Sequence, residues 1–169
     1  SSDLRQLLKD DEVLVSWYFA EKEGFVWAIT KHGAPQFHRI GIGRAQMAQT
    51  VATLRKSLDP GVATIDDIPA FNLALSHQLY QQILAPVQAA WADKKVMLAV
   101  PHAELGQLPL SVLVADAPAF TPKGKGTDFT DYRQASWLAK KIAVAQLPSV
   151  TALAALRNLP APAAKIGRA

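Results

Sequence analysis

The 169 residues contain no cysteine. Disulfides, thiolate metal sites and a cysteine nucleophile are therefore excluded within this chain. Long apolar runs are missing too, and nothing approaches the roughly 20 uninterrupted apolar residues of a membrane span. The first residues lack the basic, apolar, small-residue order of a secretory leader, so a cytoplasmic location is the expectation. Histidine is scarce. His32, His38, His77 and His102 show no i, i+4 pair and have no thiolate to join them, so no metal site is expected.

Other motifs are absent as well. No Gly-x-Ser-x-Gly elbow supplies a serine nucleophile. The glycines of Gly41-Ile42-Gly43 precede a helical pattern, but the third glycine of a dinucleotide fingerprint is missing. "KGKGTD" (123–128) shares only its composition with a phosphate-binding Walker loop. The carboxylate pairs Asp10-Asp11 and Asp66-Asp67 fall at element ends or in loops, where acids are ordinary. No cofactor and no catalytic set is expected within the chain.

What is present suits one folded domain. Half of the residues are hydrophobic and 19% are charged, enough to bury a core. The net charge is +4, and the excess lies entirely after Lys95. There Lys123, Lys125, Lys140, Lys141, Lys165 and Arg168 are scattered, with no basic stripe and few interleaved aromatics. That pattern describes a solvated surface rather than a nucleic-acid groove.

Along the chain, Leu4, Leu7 and Leu8 suggest a short opening helix. "EVLVSWYFAE", "FVWAITKHG" and "QFHRIGIG" follow as three β-rich stretches joined by the turns "EKEG" and "HGAP". Connections so short force antiparallel pairing, because a parallel return needs a crossover of a dozen or more residues. Trp17 and Trp27 belong to the core or rim of this meander. The period then becomes helical at Met47, Val51, Leu54 and Leu58, and Asp59-Pro60-Gly61 stops it. A longer helix places Phe71, Leu75, Leu79 and Ile83 on one face, widened by Tyr80, Leu84 and Val87. Pro86 should interrupt it, with an end near Trp91.

"KVMLAVP" and "KIAVAQLPS" are apolar at almost every position, as strands covered on both faces are. The expected fold is α/β: a mixed sheet with an N-terminal antiparallel meander and central parallel strands, around 96–100 and 141–147, flanked by helices. Residues 116–131 read as a flexible loop, in which Lys123 and Lys125 are the expected first proteolytic sites. Ser149 can cap a helix over "VTALAALRNL". "PAPAAKIGRA" has the composition of a linker.

His102 follows the carboxyl end of the first continuous apolar strand, where α/β sheets often hold ligands. The chain offers it no nucleophile, and Glu104 is the only carboxylate near it in sequence. A structural role is therefore expected for it.

The order of segments resembles the CHAT family, caspase-like domains commonly found beside tetratricopeptide repeats. The resemblance runs from about Asp11 to Leu159. It is carried by Leu79-Tyr80 with Leu84-Ala85-Pro86, by Pro101 with Leu105 and Leu108-Pro109-Leu110, and by Leu147-Pro148-Ser149 with Leu153. It implies a likeness to clan CD cysteine peptidases, whose histidine and cysteine would lie C-terminal to the Pro-Ser-helix segment. Residues 1–159 would then be a pseudo-caspase-like N-terminal part, and 160–169 a linker toward the catalytic half. On this reading the partners are that catalytic half, possible tetratricopeptide repeats and a protein or peptide substrate, with neither nucleic acid nor membrane. The alternative is a catalytically inactive interaction module attached to the repeats. A weaker third reading is a small-ligand binder using the crevice beyond the strand ends.

Overall fold

The computed structural model of the chain describes residues 2–62, 64, 67–122 and 129–159. A short helix α1 (Ser2–Gln6) leads into strands β1 (Glu12–Phe19), β2 (Gly24–Thr30) and β3 (Gln36–Ile40). Helices α2 (Arg44–Leu58), α3 (Leu73–Ile83) and α4 (Gln88–Trp91) carry the chain to strand β4 (Val96–Val100). Among the described residues of the long connection to strand β5 (Ala143–Gln146) the regular segments are short 3-10 turns, and helix α5 (Val150–Asn158) follows.

The five strands form one sheet in the order β3-β2-β1-β4-β5. The meander pairs antiparallel, whereas β1–β4 and β4–β5 pair parallel. β1 is the pivot, with a local antiparallel neighbour on one side and a distant parallel one on the other. Both of its faces are buried along most of its length because its apolar residues do not simply alternate. Val13, Val15, Trp17 and Phe19 face one way, and Leu14 the other.

The first face carries the main core. Met47, Val51 and Leu54 of α2 pack there with Leu79 and Ile83 of α3, and with Leu105, Leu108, Leu110, Leu113 and Leu138 from the β4–β5 connection. Each such side chain contributes about 1.5–3 kcal/mol through burial. Trp17 is anchored by its indole N–H, which donates to the Ile83 carbonyl at 2.9 Å. The second face holds a smaller cluster of Leu14 and Leu98 with Leu8, Leu147 and Leu153, so α1 and α5 cover it at one end.

The continuous apolar patterns lie in one sheet, and Leu98 is buried. The position of the second one corrects the expectation: among the described residues β5 is not central but at the edge of the sheet, with three of its four residues exposed. The α3 pattern also shifts. The helix starts at Leu73, where the Asn72 side chain accepts the Leu75 N–H, and its buried stripe is Leu73, Ser76, Leu79, Tyr80 and Ile83. Phe71 therefore precedes the helix and Leu75 sits on its flank. Ser76 is tolerated in the stripe because its hydroxyl donates to the Val112 carbonyl at 2.9 Å. Leu58 ends α2 largely exposed. Pro86 interrupts the helical run as a 3-10 turn between α3 and α4. Ser149 caps α5 by accepting the Ala152 N–H at 3.1 Å.

Asp66, "KGKGTD" with Lys123 and Lys125, and the linker 160–169 lie outside the described residues. The described flanks of the 116–131 segment are tied down: Val114 bridges Trp137, and Asp116 accepts from Ser136 and Lys141. No described helix is long and apolar enough to cross a membrane.

Candidate functional site

The carboxyl ends of β1 and β4 meet three other segments at one cleft. The β1–β2 turn is closed by the Ala20 N–H donating to the Glu23 carbonyl at 2.8 Å. Gly43 then lies so close to this turn that a Cβ there would sit 2.0 Å from the Glu21 carbonyl oxygen. Only glycine permits that approach. Next to it, the Arg44 N–H donates to the Ala20 carbonyl at 2.9 Å, so the start of α2 is sewn to the turn.

The third wall comes from the chain leaving β4. Pro101 lacks an N–H, and the β1–β4 register ends at Ser16 opposite Val100. His102 takes over from the ladder: its Nδ1 accepts the Phe19 N–H at 3.1 Å. Because Nδ1 is the acceptor, the neutral ring carries its proton on Nε2. Its ring also packs against Tyr18, centroid to centroid 4.7 Å. Ala103 follows at φ 52°, the one non-glycine residue with positive φ among those described. This left-handed step turns the chain sharply, and Glu104 then faces Arg44.

Arg44 grips Glu104 with two N–H donors, both at 3.0 Å. Hydrogen bonds from Arg44 hold the Glu104 carboxyl below its ordinary range, and Glu104 in turn raises the Arg44 guanidinium. A second tie joins the same elements, Arg55 donating to Gln107 at 3.1 Å. The resulting open cleft, about 550 Å³, is lined by Tyr18, Phe19, Ala20, Glu21, Arg44, Ala45, Ala48 and Glu104. Neither serine, threonine nor cysteine lines it. The cleft can hold a ligand; the Tyr18 phenol is the one hydroxyl among its lining residues, and no aliphatic hydroxyl or thiol lines it.

The remaining histidines are dispersed. His32 reaches Asp10 at 3.0 Å at the exposed far end of the meander. His38 lies on the exposed part of β3. His77 donates from Nδ1 to the Val114 carbonyl at 2.9 Å. Ser136 donates its hydroxyl to Asp116 rather than to His77, so these three residues do not form a nucleophile–base relay. Among the described residues no group of three His, Asp or Glu could hold a metal ion.

The sheet carries a further surface. Phe25, Trp27 and Phe37 touch one another on the second face, with centroids 5.4–6.0 Å apart. Tyr18 stands opposite Phe25 in the register, 49% exposed, and Phe37 is 56% exposed. α1 and α5 cover the other end of this face, so the aromatic end is bare of them. Of this row the sequence placed only Trp27, at the core or rim of the meander, and the Arg44–Glu104 grip joins residues 60 positions apart and left no sequence signal.

No family model matches this chain, no curated protein matches it, and no solved structure matches it.

Proposed function

We propose that this chain is the non-catalytic N-terminal lobe of a CHAT caspase-like cysteine peptidase, supporting a catalytic His/Cys half supplied by sequence C-terminal to it. The observation that carries the reading is the employment of His102. At the carboxyl end of a parallel strand, where such a fold would use a catalytic imidazole, the ring caps the Phe19 N–H instead. No cysteine exists in these residues to give it a proton, as the thiol of a Cys/His dyad would. The ties at the cleft all join secondary-structure elements, which is what a rigid supporting shell requires.

The test compares residues 1–169 with the full-length parent on a peptide library. The parent should cleave, lose cleavage to a cysteine-directed alkylating reagent, and carry a histidine and a cysteine after neighbouring strands of its C-terminal half. Residues 1–169 should not cleave. A parent without thiol-dependent cleavage refutes the peptidase reading.

A second reading is favoured by the bare aromatic row of Tyr18, Phe25, Trp27 and Phe37. A catalytically inactive module attached to tetratricopeptide repeats would use such a surface to bind another protein, since aromatic anchors dominate interface energetics.

A further inference from the structure

We infer that the free edge of β5 is a strand-addition site, filled by a β-strand from the catalytic half of the parent chain. The partner's identity rests on the reading proposed above; the site itself rests on β5. Ala143-Val144-Ala145 belongs to a continuous apolar run, the composition of a strand covered on both sides. Yet Ala143, Ala145 and Gln146 are exposed, and β5 is the last strand of the sheet. The composition is that of an interior strand, and the position is that of an edge.

The backbone says which groups are free. The Ala143 N–H donates to the Lys95 carbonyl at 3.0 Å and the Leu147 N–H to the Ala99 carbonyl at 2.7 Å, both toward β4. Strand alternation therefore points the N–H and C=O groups of Val144 and Gln146 outward. Among the described residues no strand pairs with that side.

The two edges of the sheet differ in protection. Stable edge strands carry charges, proline or a bulge against unwanted pairing. β3 has Pro35 at its start and exposes His38 and Arg39. Within Ala143–Gln146 there is neither charge nor proline. Its one edge device is its shortness, four residues, and an edge so lightly guarded opposite a charged one marks the side open to pairing.

The position of α5 bears on the source of the strand. The connections from β1 to β4 and from β4 to β5 pack on the first face, but α5 packs on the second. Right-handed crossovers over opposite faces step in opposite directions. A direct return from α5 would step back toward β1, whose two sides are already taken by β2 and β4. The strand on the outer edge of β5 is then not the immediate successor of α5. It comes from a separately packed part of the parent, as a second lobe would supply.

Hydrogen exchange of the Val144 and Gln146 amides, in residues 1–169 and in the full-length parent, tests this without reference to activity. In residues 1–169 both should exchange as edge amides open to water. In the parent both should slow by about a hundredfold or more, a free-energy difference of about 2.7 kcal/mol. Equal exchange in the two proteins overturns the site. Slow exchange in residues 1–169 alone, increasing with protein concentration, assigns the edge to a second copy and also overturns it.

Val144→Pro removes one outward donor and leaves the β4 ladder intact, since proline is tolerated where a strand's N–H faces outward. The variant of residues 1–169 should melt within about 4 °C of the wild type. In the parent it should abolish the slowed exchange of Gln146 and lower cleavage at least tenfold. Retained protection at Gln146 refutes the pairing. Slowed exchange in a parent that shows no thiol-dependent cleavage keeps the strand addition and refutes only the peptidase reading.

Discussion

Arg157 and Glu12 lie 145 positions apart in the chain, yet one guanidinium nitrogen of Arg157 reaches both carboxylate oxygens of Glu12 at 2.5 Å. The pair joins α5 to the first residue of β1. Glu12 is only 5% exposed, and its Oε2 also accepts the Lys9 N–H at 3.0 Å. A second nitrogen of Arg157 donates to the Leu7 carbonyl at 3.2 Å, so one side chain holds α5, the end of the α1 segment and the sheet together.

Removing that clamp should leave a buried carboxylate short of its cation. Arg157→Met is expected to cost about 2–3 kcal/mol, less than a fully buried pair because Arg157 keeps some contact with water. Glu12→Gln combined with Arg157→Met should cost less than the sum of the single changes, read as midpoints of urea denaturation. Strict additivity would show that the two residues do not act as a pair.

The same carboxylate sets an acid limit. Burial raises the Glu12 pKa, but the Lys9 N–H and the Arg157 hydrogen bonds and charge outweigh it, leaving the value below the ordinary glutamate range. A depressed native pKa means the unfolded state binds the proton more readily. The stabilisation is thus complete above the unfolded value and is lost as pH falls through the native one. Stability measured from pH 6 downward should fall less steeply in Glu12→Gln than in the wild type.

His102→Ala should behave as a structural change. It deletes the acceptor of the Phe19 N–H, at a cost of about 1–2 kcal/mol. Cleavage by the parent should stay within about threefold, a barrier change below about 1 kcal/mol. A loss beyond about a hundredfold in a folded variant would make the ring part of the chemistry.

Two backbone positions beside the cleft should respond in opposite directions. Ala103→Gly relieves a left-handed conformation that costs an L-residue about 1–2 kcal/mol, partly offset by the looser unfolded chain. A net gain of about 0.5–1 kcal/mol is expected. Gly43→Ala drives a methyl into the Glu21 carbonyl, and that overlap should cost about 3 kcal/mol. Thermal melts of the two variants decide both signs.

Leu108→Ala empties a fully buried position in the β4–β5 connection. A loss of about 2–5 kcal/mol is expected, with the size set by how far Leu105 and Leu110 relax into the space. A smaller change would mean that the 3-10 segments pack more loosely than their burial indicates.

The parts legible in the sequence were those whose information is local. Met47, Val51 and Leu54 repeat at helical spacing, and the short turns after Phe19 and Thr30 dictated antiparallel pairing. Ser149 announced its own cap. β5 misled because an apolar run reports what a strand is suited to touch, not whether that neighbour is present. The cleft was illegible for a related reason. Phe19 with His102, Arg44 with Glu104 and Gly43 with Glu21 are brought together by the sheet order, and no spacing in the chain encodes those meetings.

The pivot position of β1 also has a kinetic consequence. Its pairing with β2 needs only a tight turn, and hairpins form in roughly 1–10 μs. Its other edge waits for β4, and the bond from Phe19 to His102 closes a loop of 83 positions. That closure costs about 4 kcal/mol of chain entropy before any contact offsets it. The meander should thus be the early template and the parallel half the late addition. Changes at Trp27 or Phe25 should slow folding, whereas changes at Leu98 or His102 should mainly speed unfolding. A nascent chain that has made β3 but not β4 exposes one edge of its most apolar strand, and that interval is when the protein is most open to wrong partners.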